Sequence, residues 1–149
     1  MLGGAEQGFA KYLLAPLIAW LLAQSIKYLL NRRAQRGQAW RLLYQSGNMP
    51  SAHTATLVSL TTMIGIHDGL DSGLFALAVI VTAMAAYDAL MVRRSGGEQG
   101  IALRKLLEIS PFKKDPFPYQ ALGHRPLEVA VGALLGVVVA VCVGMFTTI

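Results

Sequence analysis

Two short segments, Pro50-Ser51-Ala52-His53 and His124-Arg125-Pro126-Leu127-Glu128, each set a histidine where the chain enters a long apolar stretch. Near neutral pH an imidazole can be uncharged and attack, or protonated and donate, so two at one pocket could divide the work of cleaving a phosphate ester. His124 and Glu128 are four residues apart; on a helix the carboxylate can lie beside the imidazole and fix its tautomer. Pro50 and Pro126 suit first-turn positions, where proline's missing donor costs nothing. Both motifs then stand at helix N-termini, where unpaired N–H groups and the helix dipole favour a bound phosphate. A single histidine at the start of a membrane helix is ordinarily an interfacial polar residue. The pairing, with its flanking patterns, is what points to a phosphate-cleaving site at a membrane surface.

The elements that must position these residues are membrane helices. Hydrophobic residues make up 54% of the chain and charged residues only 14%, a balance that suits lipid rather than water. Four spans are expected, from about Phe9 to Leu30, Ser51 to Ile66, Leu74 to Val92 and Leu127 to Phe146. The second is short, rich in Ser and Thr, and expected to be enclosed by the others. After Ser95-Gly96-Gly97, the stretch from Glu98 to Ile109 has Leu103, Leu106 and Leu107 at helical spacing, which predicts a short helix lying on the headgroup layer. Phe112, Phe117 and their flanking prolines then make an aromatic connection at the interface. The expected fold class is therefore all-α: an integral membrane bundle of about four transmembrane helices plus one short interfacial helix, forming one domain over residues 1–149. The first span is too long, and too poor in preceding cations, for a cleaved leader. Cys142 stands alone inside an apolar run and reads as a packing residue.

Cation placement predicts the orientation. Arg32, Arg33, Arg36 and Arg41 follow span one, and Arg93, Arg94, Arg104, Lys105, Lys113, Lys114 and Arg125 follow span three, whereas the loop His67-Asp68-Gly69-Leu70-Asp71 has no Lys or Arg. The positive-inside rule puts the basic loops in the cytoplasm and both termini outside. The ends of spans one and three and the starts of spans two and four then share one face, where both histidine motifs meet. The net charge of +5 becomes a one-sided field that attracts anionic lipid headgroups. Nucleic acid is a poor partner for it, without a soluble basic domain or stacking aromatics. His67, on the opposite side, reads as solvated.

Several polar residues within the spans need partners. Lys27, with Gln24 and Asn31 nearby on its helix, either faces the bundle or snorkels to the surface. Asp88 is costly in an apolar helix unless paired, with Arg93 or Lys27 as the expected partner beside the site. Asn48 suits the N-cap of span two. Gly132, Gly136, Ala140 and Gly144 recur every four residues along span four and allow close helix approach, within the chain or in a homodimer.

Pro50, Ser51, Ala52 and His53 match a Pro-Ser-Gly-His motif with Ala52 in place of glycine, and His124, Pro126 and Glu128 match a His-x-Pro-x-Asp pattern with glutamate in place of aspartate. These motifs, with the run Ser46-Gly47-Asn48-Met49 and the stretch from Tyr87-Asp88 to Arg93-Arg94, make the chain resemble the divergent branch of the type-2 phosphatidic acid phosphatases, relatives of the vanadium haloperoxidases. The resemblance covers nearly the whole chain. It implies that His124 attacks phosphorus to form a phosphohistidine, supported by Glu128. His53 would protonate the departing alkoxide and then activate water, with no metal or other cofactor. Lys27, Ser51, Ala52, Asp88, Arg93 and Arg94 would form the substrate-binding set. The family's first motif, a lysine followed by an Arg-Pro pair, is not reproduced, since Lys27 precedes Arg32 and Arg33 without a proline. Its third-motif arginine sits close before the histidine, whereas Arg93 and Arg94 lie far upstream of His124. Two functions follow: a membrane phosphatase acting on a lipid phosphate monoester, or a non-catalytic lipid-binding or complex-assembly protein that keeps the anionic pocket. Whether Arg93 or Arg94 can stand in for the displaced arginine discriminates between them.

Overall fold

The computed structural model describes residues 3–31, 49–110 and 123–147. They form helices α1 (Gly3–Asn31), α2 (Ala52–Asp68), α3 (Gly73–Tyr87), a π-helical turn (Asp88–Val92), α4 (Arg93–Ile109) and α5 (Pro126–Thr147). The protein is an all-α membrane bundle. Among the described residues, three stretches are long and apolar enough to cross a membrane: Ala10–Leu30, Gly73–Ile109 and Pro126–Thr147. Helix α2, 17 residues long, rises roughly 26 Å and packs against α1, α3 and α5.

Most of its hydroxyls are satisfied locally, as a span enclosed by apolar neighbours requires, while the buried Ser59 Oγ has no hydrogen-bond partner among the described residues. Thr56, Thr61 and Thr62 each donate to the carbonyl four residues back, at 2.8, 2.9 and 2.8 Å. Thr61 Oγ1 also meets Thr82 Oγ1 of α3 at 2.8 Å. Replacing Thr82 with valine is expected to cost about 0.6 kcal/mol of stability, the usual worth of such a bond between membrane helices. Thermal unfolding in detergent checks this.

Small residues set the packing. Ala15, Ala19 and Ala23 of α1 join Ala52, Ala55 and Met63 of α2 and Val139 and Ala140 of α5 in one buried core. Gly132, Gly136 and Gly144 all face α2: a Cβ added at Gly132 would meet the Ser51 carbonyl, one at Gly136 the Ala55 carbonyl, and one at Gly144 the side chain of Ile66. The stripe is thus occupied inside the chain by α2. Helix α3 buries none of its residues, and its exposed Leu77, Ile80 and Met84 are the apolar surface that lipid contact needs.

The two ends of the bundle differ. At one, Tyr12 OH donates to the Asp68 carboxylate at 2.8 Å while its ring meets His67 edge-on. Thr147 approaches the same imidazole at 3.4 Å. His67 is therefore half-buried in a polar cluster joining α1, α2 and α5, rather than solvated. The other end carries Lys27 and the starts of α2 and α5.

The third span and the interfacial helix are not separate elements. Residues Gly73–Ile109 run as one continuous helix of 37 residues, so Ser95-Gly96-Gly97 makes no break. Glycine weakens a helix by only about 1 kcal/mol per residue, and here the Arg94–Glu98 pair spans the same turn at 3.2 Å. The loop cations Arg32, Arg33, Arg36, Arg41, Lys113 and Lys114, Asn48 with the run before it, and the Phe112–Phe117 connection lie outside the described residues.

Candidate active site

The α2 start is built by its own first turn. Ser51 is the N-cap, its Oγ accepting from the Thr54 N–H at 3.4 Å and meeting Thr54 Oγ1 at 2.9 Å. Ser51, not Asn48, thus takes the capping position, and the buried Pro50 precedes the helix instead of entering its first turn. The Ser51 N–H donates to the Glu128 carbonyl at 3.0 Å, which ties the start of α2 directly to the start of α5. With the Ser51 and Thr54 amides so engaged, the Ala52 and His53 N–H groups are the first-turn donors left for an anion. The side chain of His53 is exposed at this end.

The α5 start is a half capping box. Pro126 is the first helical residue, and Glu128, two residues on, reaches back so that its Oε2 accepts from the Arg125 N–H at 3.1 Å. His124 therefore precedes the helix, and its pairing with Glu128 is not the stacked arrangement that four-residue spacing gives within a helix. The carboxylate stands 4.0 Å from His124 Nδ1, beyond a hydrogen bond. His124 is only 7% exposed, and its Nδ1 has no hydrogen-bond partner among the described residues.

Cations reach this place from two helices. Lys27 is 5% exposed: it continues the Ala15-Ala19-Ala23 stripe at four-residue intervals and so faces the bundle rather than snorkelling. It lies within electrostatic reach of Glu128 and His53. Arg93 comes from the helix that carries Asp88, and its Nε binds Asp88 Oδ2 at 2.6 Å. In an α-helix, residues five apart diverge; the π turn between these two brings them onto one face.

His53 feels the charges of Arg93, His124, Lys27 and Asp88 together. The structure thus gathers these groups at one end of the bundle, despite the sequence distance between Arg93 and His124. Arg94 does not join them: its guanidinium is exposed and paired with Glu98.

Gly123 explains how closely the segment before α5 approaches the start of α4. It has φ of +68°, and a Cβ there would stand 2.6 Å from the Arg94 nitrogen and 2.7 Å from its Cα. The neighbouring His124 N–H donates to the Ala89 carbonyl in the π turn at 3.1 Å. Gly123→Ala is expected to cost about 2 kcal/mol through a strained backbone and an overlapping contact. Thermal unfolding of the purified variant tests it. Sequence reasoning missed Gly123, Ala89 and Thr54. A glycine directly before the motif histidine was the one visible signal.

The fold defines the class first: a helical membrane protein whose polar groups converge at one end. The chain belongs to the divergent PAP2 family, which it matches over residues 9–139. A curated relative, described as an uncharacterized membrane protein, YuiD of Bacillus subtilis (strain 168), is 34% identical over 148 residues, covering 90% of this chain and 94% of the relative. No solved structure matches significantly.

Proposed function

We propose that the protein is a membrane phosphatase that hydrolyses a lipid phosphate monoester, such as phosphatidic acid or phosphatidylglycerol phosphate, through a phosphohistidine intermediate and without a metal. The observation that carries this reading is the convergence of His53, His124, Lys27 and Arg93 at the N-terminal ends of α2 and α5. His124 Nδ1, buried and facing Glu128, leaves Nε2 as the nucleophile once a proton sits on Nδ1. Closure of the 4.0 Å gap on substrate binding would fix that tautomer, since catalytic hydrogen bonds are often long without substrate.

In the first step Nε2 bonds to phosphorus as the P–O bond to the lipid alkoxide breaks, and the His53 imidazolium gives its proton to that oxygen. In the second, neutral His53 takes a proton from water, whose oxygen attacks phosphorus, and the P–N bond breaks. Arg93, Lys27 and the Ala52 and His53 amides offset the negative charge on the phosphoryl oxygens. Asp88 and Ser51 serve this set indirectly, one through Arg93 and the other by capping α2. Arg94 is left as a charge near the headgroups.

The excess of Lys and Arg in the loops at this end supports a cytoplasmic orientation with both termini outside, in which lipid would enter from the inner leaflet. A second reading, an anion-binding membrane subunit without turnover, is favoured by one observation: the Glu128 carboxylate is already hydrogen-bonded to Arg125.

A metal-free assay in mixed micelles over a panel of lipid phosphates distinguishes the two. Phosphate release that vanadate suppresses, and that falls about a hundredfold or more in Arg93→Ala, supports the phosphatase. Inactivity on every monoester supports the binding protein.

A further inference from the structure

The π turn Asp88–Val92 is the one departure from α-helical hydrogen bonding within the continuous helix from Gly73 to Ile109. Such turns arise when one extra residue enters an α-helix, and they shift the bonding pattern locally. In α-helical register the Arg93 N–H would donate to the Ala89 carbonyl. Here it donates to the Asp88 carbonyl, and the Ala89 carbonyl accepts the His124 N–H at 3.1 Å instead. The same extra residue puts the Asp88 carboxylate against Arg93 Nε at 2.6 Å.

We propose that this turn is a positioning device for the site: its released carbonyl docks the backbone of His124, while Asp88 aims Arg93 at the same phosphoryl group. The inference rests on the phosphatase reading for the roles of His124 and Arg93, but the docking itself does not. One local defect thereby sets the distance between the nucleophile and its principal cation, although the two lie far apart in sequence. Asp88 is accordingly a positioning residue that acts through Arg93.

Deleting Met91 removes the extra residue. Arg93 then stands four residues after Asp88, where an α-helix still allows the ion pair, but the Arg94 N–H comes into register with the Ala89 carbonyl and displaces His124. Asp88→Asn does the reverse, keeping the carbonyl and losing the carboxylate.

The test is hydrogen–deuterium exchange at the His124 amide in detergent, with vanadate affinity measured on the same samples. The wild-type amide should be protected, and deletion of Met91 should speed its exchange about tenfold or more. Asp88→Asn should leave that exchange unchanged while weakening vanadate binding about tenfold, with partial recovery in Asp88→Glu. An unprotected His124 amide in the wild type, or protection that survives the deletion, overturns the proposal; the first of these needs no variant to fold. Unaltered vanadate affinity in Asp88→Asn overturns the part assigned to Asp88. Failure of the wild type to bind vanadate would instead count against the phosphatase reading, and the exchange comparison would still decide the docking.

Discussion

Replacing His124 with alanine is expected to lower phosphate release from a lipid phosphate by at least about a thousandfold, the scale on which loss of a nucleophile acts. The variant should still fold. The backbone at this position is held by the bond from its N–H to Ala89, by the Gly123 turn and by the Ser51–Glu128 link between α2 and α5, none of which uses the imidazole. What disappears is a mostly buried ring with an unpartnered nitrogen, so the cost to stability should stay within about 1–2 kcal/mol. Initial rates together with thermal unfolding of the same preparation separate the two effects. Unchanged turnover in a folded His124→Ala protein would remove the mechanism.

The next largest effect is structural. At Gly132 an added Cβ would stand 2.5 Å from the Ser51 carbonyl oxygen and 3.3 Å from its Cβ, so Gly132→Val must part α5 from α2. Overpacking of this kind costs about 3 kcal/mol. The separation also pulls on the bond from the Ser51 N–H to the Glu128 carbonyl, 3.0 Å long, and it carries His124 away from His53. A displacement of roughly 1 Å between reacting groups can lower a rate about a hundredfold. Gly132→Val should therefore unfold at lower temperature and, where still folded, turn over more slowly. A variant with wild-type stability would show that the α2–α5 contact does not need a bare backbone there.

Much of the fold was legible because apolar runs of the right length leave few alternatives in a membrane. The bounds of α2 and α5 and the end of α1 follow from where such runs start and stop, whereas α1 begins at Gly3, six residues before its apolar run; the glycine stripe of α5 announced a close helix contact, though not which helix would fill it. The joint between α3 and α4 was misread because Ser95-Gly96-Gly97 looks like a breaker. Helix propensity is a weak prior: the helix runs on at a cost of about 1 kcal/mol per glycine, of which the exposed Arg94–Glu98 pair offsets only about 0.5 kcal/mol. The π turn leaves no mark in composition, since one inserted residue in an apolar stretch changes neither length nor hydropathy enough to notice.

In the site, Lys27 facing inward was written in the Ala15-Ala19-Ala23-Lys27 spacing. The shared face already put Arg93 on the side of His53, but what fixes Arg93 there was not legible, because it depends on a backbone contact at Gly123 and on a carbonyl released by the π turn. Glu128 was misplaced for a simpler reason: α5 begins after His124, so a four-residue spacing that spans a helix start does not carry helical geometry.

The central claim is that phosphorus passes through a covalent bond to His124, and trapping that bond tests it most directly. Wild-type and His53→Ala proteins are incubated with a radiolabelled lipid phosphate without metal, quenched in alkali, which preserves phosphohistidine, and digested for mass spectrometry. The account predicts phosphate on the peptide carrying His124, with slower loss of label in His53→Ala because water is no longer activated. Turnover without label at His124, or label on another residue, would contradict it.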